Sequence, residues 1–291
     1  MSYMANESKV LYKSKDGNDS KEFAVLDFIA SIASHIPNKN EQMLHYLGYY
    51  SNVCRGKRKK QGRAESEYVI EDDSYKSCKK SDKFMLSDVT SRPFERLQFL
   101  RGTENLFIDI AENRPEFQKL LRIVHEFYLK DIENWCKTNV DGIVFMDDWG
   151  KNNGLLINPK IWREIFKPLY KEYCDMIHNA DKFAFFHTDG DTEEIFGDFV
   201  DVGIDAINSQ LFTMNIEEIG KKYKGRITFW GEIDRQYILP FGTLEEVENA
   251  VKRVKSALYS GKGGIIAQCE WGKNNSMQNI KTVFKVWNNQ I

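Results

Sequence analysis

Five short apolar runs in this 291-residue chain each end in residues that can move protons or hold ions. They are DGIVFMDDWG (141–150), KFAFFHTDGD (182–191), GIDAINSQ (203–210), RITFWGEID (226–234) and GGIIAQCEWG (263–272). His187 and Asp189 are two apart at the end of the second run, so strand alternation points both to one face. Cys269 closes the last run. Asp147 and Asp148 close the first; adjacent strand residues face opposite ways, so one carboxylate reaches a shared site and the other caps a helix or bonds a loop. Asp148 is the candidate for general acid–base work. Glu232 and Asp234 share a face, with Glu232 a second acid, a further ligand or a hydrogen-bond partner of His187, and Asp234 a cap on the turn into RQYILPFGT. Asn208 and Gln210 are candidates to bind a polar ligand group, or are plain surface amides. Trp149, Trp230 and Trp271 each follow a different run; they make an aromatic wall for a flat or methyl-bearing ligand, or they pack a core.

These residues need a scaffold that brings five strand ends together. Segments of helical period lie between the runs, and that alternation predicts β-α units with a parallel sheet. Strands are expected at 142–147, 182–187, 204–208, 226–231 and 263–268. In a β/α barrel the C-terminal strand ends form one rim, where side chains far apart in sequence meet. PEFQKLLRIVHEFYLKDIENWCKT (115–138) reads as a scaffold helix, with His125 and Cys136 as packing residues. TLEEVENAVKRVKSALYSGKGG (243–264) reads as another, capped by Thr243.

Composition excludes several classes. Apolar residues make up 42% and charged residues 29%, as in ordinary globular proteins, and the net charge is -2. That balance gives no global attraction to nucleic acid or anionic membrane. Five scattered cysteines without a CxxC pair point to a reducing, cytoplasmic setting rather than a disulfide framework. No apolar run approaches the roughly 18–20 residues that span a bilayer.

The charge is unevenly placed. Residues 55–63 read RGKRKKQGR, and residues 64–83 are polar and mixed. This divides the chain into an N-terminal piece (1–63), with helical spacing across 22–53, a linker (64–83) and a β-α domain (84–291). Lys57, Arg58, Lys59 and Lys60 are candidates for weak, non-specific phosphate contacts.

RPFERLQFLRG (92–102), VDGIVFMDDWGKNNGLLINPKIWREIFKPLYKEY (140–173), FFHTDGD (185–191), VGIDAINSQ (202–210), FWGEIDRQYILPFGTLEEV (229–247) and GGIIAQCEWG (263–272) resemble, in order, the uroporphyrinogen decarboxylase superfamily. The resemblance implies an α/β fold of (β/α)8 TIM-barrel type, here truncated on its N-terminal side. Open barrel edges would invite self-association. The superfamily's cobalamin-linked methyltransferases bind zinc through a His-x-Cys pair and a distant Cys. His187 and Cys269 match the outer two positions, and Asp189 stands at the middle one. The resemblance thus implies zinc on His187, Asp189 and Cys269, a small-molecule thiol or other acceptor, and a corrinoid supplied by a partner protein. Porphyrinogen decarboxylation is the other activity implied, but the family Tyr near the FLRG turn is Gln98 or Phe99 here, and the late-strand His is replaced within Cys269-Glu270-Trp271.

EFAVLDFIASIASHIPNKNEQMLHYLGYYSNVCRGKRKK (22–60) resembles the C-terminal end of a rolling-circle insertion-sequence transposase. No His-hydrophobic-His metal motif accompanies Tyr46, Tyr49 and Tyr50. The reading it implies is a DNA-binding remnant fused to a barrel fragment.

Overall fold

The computed structural model describes residues 2–4, 9–13, 20–24, 82–272 and 275–288. Its contacts divide the chain into two units, Met1–Lys79 with Arg96–Ile123, and Lys80–Glu95 with Val124–Ile291.

In the first unit, β1 (Ser2–Met4), β2 (Lys9–Lys13) and β3 (Ser20–Ala24) form an antiparallel sheet in that order. Helical spacing is expected from Phe23 onward, yet Phe23 lies in β3 opposite Val10. The stretch from residue 25, the basic run with Lys57, Arg58, Lys59 and Lys60, and the linker up to residue 81 lie outside the described residues. Helix α2 (Thr103–Glu112) belongs wholly to this unit, while α1 (Pro93–Arg101) and α3 (Pro115–Cys136) each contribute residues to both units. Buried Asp109 on α2 holds Arg101 at 2.5 Å and Arg114 at 3.3 Å.

The second unit carries the β-α pattern. Its sheet is β4 (Leu86–Val89), β5 (Gly142–Met146), β8 (Phe183–Thr188), β9 (Ala206–Ser209), β10 (Thr228–Trp230) and β11 (Ile265–Ile266). All six are parallel, and each pairs with the next in the chain. That sequential order is the order of a β/α barrel, in which eight strands close the ring. Among the described residues β4 and β11 are the two edges. Five strands fall within a few residues of their expected places; β4 was not anticipated, because LSDV has too little apolar character to stand out. A short hairpin, β6 (Gly150–Lys151) with β7 (Gly154–Leu155), follows β5.

The connections are α4 (Pro159–Ile165), α5 (Lys167–Asn179), α6 (Phe196–Val202), α7 (Ile216–Tyr223), α8 (Ile238–Phe241), α9 (Leu244–Leu258) and the closing α10 (Met277–Asn288). Asn158 caps α4 and Asn215 caps α7, each accepting from a first-turn N–H. At α9 Thr243 and Glu246 cap each other's backbone, which satisfies two otherwise orphaned donors.

Alternation along each strand sorts the side chains into two layers. One face carries Val144, Phe185 and Ala206, with Leu86, Val89 and Trp230 packed on them. The opposite face meets the helices through aromatic residues: Phe145 lies 5.1 Å from Phe186, which lies 5.3 Å from Tyr170 and 5.1 Å from Phe199. These rings are almost fully withdrawn from water, so their burial is the main cohesive force between sheet and helices.

Candidate metal centre

The strand register sets the site. Val144, Phe185 and Ala206 fill one layer of the inner face, and Met146, His187 and Asn208 are the paired residues of the layer above. His187 is thus raised to the C-terminal end of the sheet on the side away from the helices. Asp148 and Asp189 continue the same alternation into the loops that follow β5 and β8.

Asp148, His187 and Asp189 converge there, with one ligand atom from each lying within 4.8 Å of the others. His187 Nε2 is 3.7 Å from Asp148 Oδ1 and 3.8 Å from Asp189 Oδ1. Burial, and then the Asp189 charge, push the Asp148 carboxyl above the usual range, opposed by His187. Two carboxylates held this close are relieved by a cation between them.

The imidazole is oriented from behind. Its Nδ1 lies 2.5 Å from Asn208 Oδ1. The Asn208 amide donates to the Trp230 carbonyl at 2.6 Å and to Gln268 Oε1 at 2.9 Å. With both donors used, Asn208 can only accept from His187, which places the ring proton on Nδ1 and turns the Nε2 lone pair toward the carboxylates. A metal-ligating His is held by an outer hydrogen bond of this kind.

The carboxylates are placed by main chain. Asp189 N–H donates to Asp148 Oδ1 at 3.0 Å. Gly150 N–H donates to the Asp189 carbonyl at 3.0 Å, and Gly190 N–H donates to Gln210 Oε1 at 3.1 Å. Gly150 and Gly190 meet backbone against backbone, and a Cβ on either would collide with the other's main chain. Gly190 also has φ +78°, a conformation that favours glycine.

A uroporphyrinogen decarboxylase model matches residues 75–289. The chain belongs to this family. Its fold is similar to that of a methyltransferase from Methanosarcina mazei, at 13% identity and a TM-score of 0.57, over 68% of this chain and 57% of the other. It therefore spans little more than half of that methyltransferase. An intracellular xylanase from Thermoanaerobacterium saccharolyticum has a TM-score of 0.34 at 17% identity, over 54% and 56% of the two chains, and carries no argument. No curated protein matches the chain.

Against the family expectation, Cys269 is not among the converging residues; Asp148 takes its place. Cys269 is buried, and burial followed by the Glu232 charge pushes its thiol up to about 11. One imidazole and two carboxylates form a donor set that a divalent ion accepts, zinc included.

The other candidate residues separate by face. Asp147 points toward the helices, where it accepts from Phe94 N–H at 2.9 Å and Glu95 N–H at 2.8 Å at the start of α1, and from the Tyr170 hydroxyl at 2.6 Å. Burial pushes its carboxyl up to about 8 against these donors. Trp149 is also a core residue rather than a ligand wall: it is fully buried, 4.2 Å from Phe94 and 4.6 Å from Phe166, and donates Nε1–H to Tyr170. Trp230 stands on the inner face, edge-on to Phe185 at 5.6 Å. Gln210 is buried and spent on the Gly190 loop. Asp234 accepts from the N–H groups of Gln236 and Tyr237, capping its turn.

Glu232 is buried, and desolvation pushes it up to about 8. The charge nearest it is Arg235, 3.6 Å away. Arg235 was not singled out by the sequence, since a lone arginine after a strand carries no motif. It donates to Asp189 with Nη2 and to Glu270 with Nη1. Three carboxyl groups thus surround one guanidinium at the edge of the carboxylate–histidine cluster.

Proposed function

We propose that this protein is a metal-dependent group-transfer member of the uroporphyrinogen decarboxylase family, acting as a methyltransferase between a corrinoid carried by a partner protein and a small acceptor. The convergence of Asp148, His187 and Asp189, with the His187 tautomer fixed by Asn208, carries the reading. His187 Nε2 and one oxygen from each aspartate would hold zinc or a similar divalent ion. Bound there, the ion would supply Lewis acidity that favours deprotonation of a thiol or hydroxyl acceptor. Asp148 then serves as a ligand rather than a free base. Glu232, kept protonated by burial, is the acid that remains near the rim. Asn208 orients His187.

Porphyrinogen decarboxylation draws less support. Its substrate is a polyanion, and this rim carries the Asp148, Asp189 and Glu270 carboxylates, with Arg235 already held between Asp189 and Glu270.

Metal titration of the purified chain tests the reading. About one divalent ion per chain is expected, lost in Asp148→Asn and His187→Ala and retained in Cys269→Ala. Methyl transfer from methylcobalamin to a small thiol should follow ion occupancy. Ion binding that survives Asp148→Asn and His187→Ala would overturn it.

A further inference from the structure

Next to the carboxylate–histidine cluster, Arg235, Phe241, Glu270, Trp271 and Asn275 line a cavity of about 390 Å³. Arg235 joins the two, since one side of its guanidinium holds Asp189 and the other holds Glu270. Being saturated by carboxylates, it offers little to an anionic ligand. The cavity's aromatic residues are open to solvent, with Phe241 81% and Trp271 53% exposed. Trp271 meets Phe284 edge to face, at 6.0 Å and 89°, which steadies the indole and leaves ring surface uncovered. Glu270 is half-exposed beside them. Large apolar side chains kept in water around a carboxylate are costly unless something covers them. A cation with an apolar skin matches these features: π faces attract it, methyl groups fill the apolar walls, and Asp189 with Glu270 exceed the shared Arg235 by one negative charge, which the cation balances.

We propose that this cavity binds a methylated ammonium compound, with its head against Trp271 and Phe241 and Glu270 as the counter-charge. The inference rests on the group-transfer reading only in taking this ligand as the small molecule presented to the neighbouring cluster; the binding needs no metal.

The test uses the full chain stripped of metal by chelator. Choline, the uncharged isostere 3,3-dimethylbutan-1-ol and the anion 3,3-dimethylbutyrate are titrated by calorimetry and Trp fluorescence. Choline should bind saturably and the neutral isostere at least about tenfold more weakly, as expected for a desolvated cation–π contact. Trp271→Leu and Glu270→Gln should each weaken choline several-fold, while Trp271→Phe keeps most of the affinity. Equal binding of the isostere would mean a plain apolar pocket, and preferred binding of the butyrate would mean an anion site on Arg235; either overturns the proposal. No choline binding, or unchanged affinity in Trp271→Leu, also overturns it. Metal titration of Trp271→Leu keeps the two ideas apart, because ion binding should be intact there whatever happens to choline.

Discussion

His187 Nδ1 lies 2.5 Å from Asn208 Oδ1, and the amide nitrogen of Asn208 is already committed to the Trp230 carbonyl and to Gln268. Three adjacent strands thereby fix one imidazole. Asn208→Ala should weaken divalent-ion affinity by roughly 10–100-fold, the usual cost of losing such a partner. Asn208→Asp, which can still accept from Nδ1–H but sets an acceptor oxygen against the Trp230 carbonyl, should recover only part of it. Calorimetric ion titrations of the three proteins check this; equal affinities would show that the relay does not orient His187.

Gly190→Ala should do more harm than its size suggests. The new methyl group meets the Gly150 backbone, and φ is +78°. Loss of about 2 kcal/mol or more of stability is expected, together with loss of ion binding. Gly225→Ala is the control: its φ is +80° but open space surrounds it, so about 1 kcal/mol and unchanged ion binding are expected. Denaturant midpoints and ion titrations on both variants read the difference.

Stability should fall as pH rises between about 4.5 and 8. Glu232 is raised from 4.5 to about 8 and Asp147 from 3.8 to about 8, both chiefly by burial. The folded chain then binds more protons than the unfolded one in that interval, so the contribution is full below the lower values and is lost through the upper ones. One such group gives a slope of at most about 1.4 kcal/mol per pH unit. Glu232→Gln should flatten the profile. Unfolding midpoints at pH 5, 7 and 9 measure it, and an unchanged slope would contradict the burial argument.

Trp149→Phe separates packing from ligand contact. It removes the hydrogen bond to Tyr170 inside the aromatic layer and should cost about 1–2 kcal/mol. Ion and choline affinities should stay as they were. A change in either would return Trp149 to the ligand site.

Much of this was legible in the sequence because a period of two is a strong constraint. It told that Asp147 and Asp148 must part, and that His187 and Asp189 share a side. The strand of 183–188 announced itself by a continuous apolar run, and the capping box at Thr243 by its spacing. What failed to show depends on register between strands. Nothing in the chain order says that His187 sits opposite Asn208, or that Asp148 rather than Cys269 completes the cluster. Arg235 gave no signal, because its meaning lies in the three carboxylates around it. Trp149 misled because an aromatic residue just past a strand end can turn either way, and here the chain turns it against Phe94, Phe166 and Tyr170.

The contact between Gly150 and Gly190 has a bearing on ancestry. Two loops that share a single backbone boundary cannot drift apart independently. An inserted residue, or any side chain at one crossing point, would have to be answered by a change in the other. Loop lengths after β5 and β8 should therefore rise and fall together among relatives, and a chain that kept one glycine without the other would have surrendered the spacing between its two aspartates.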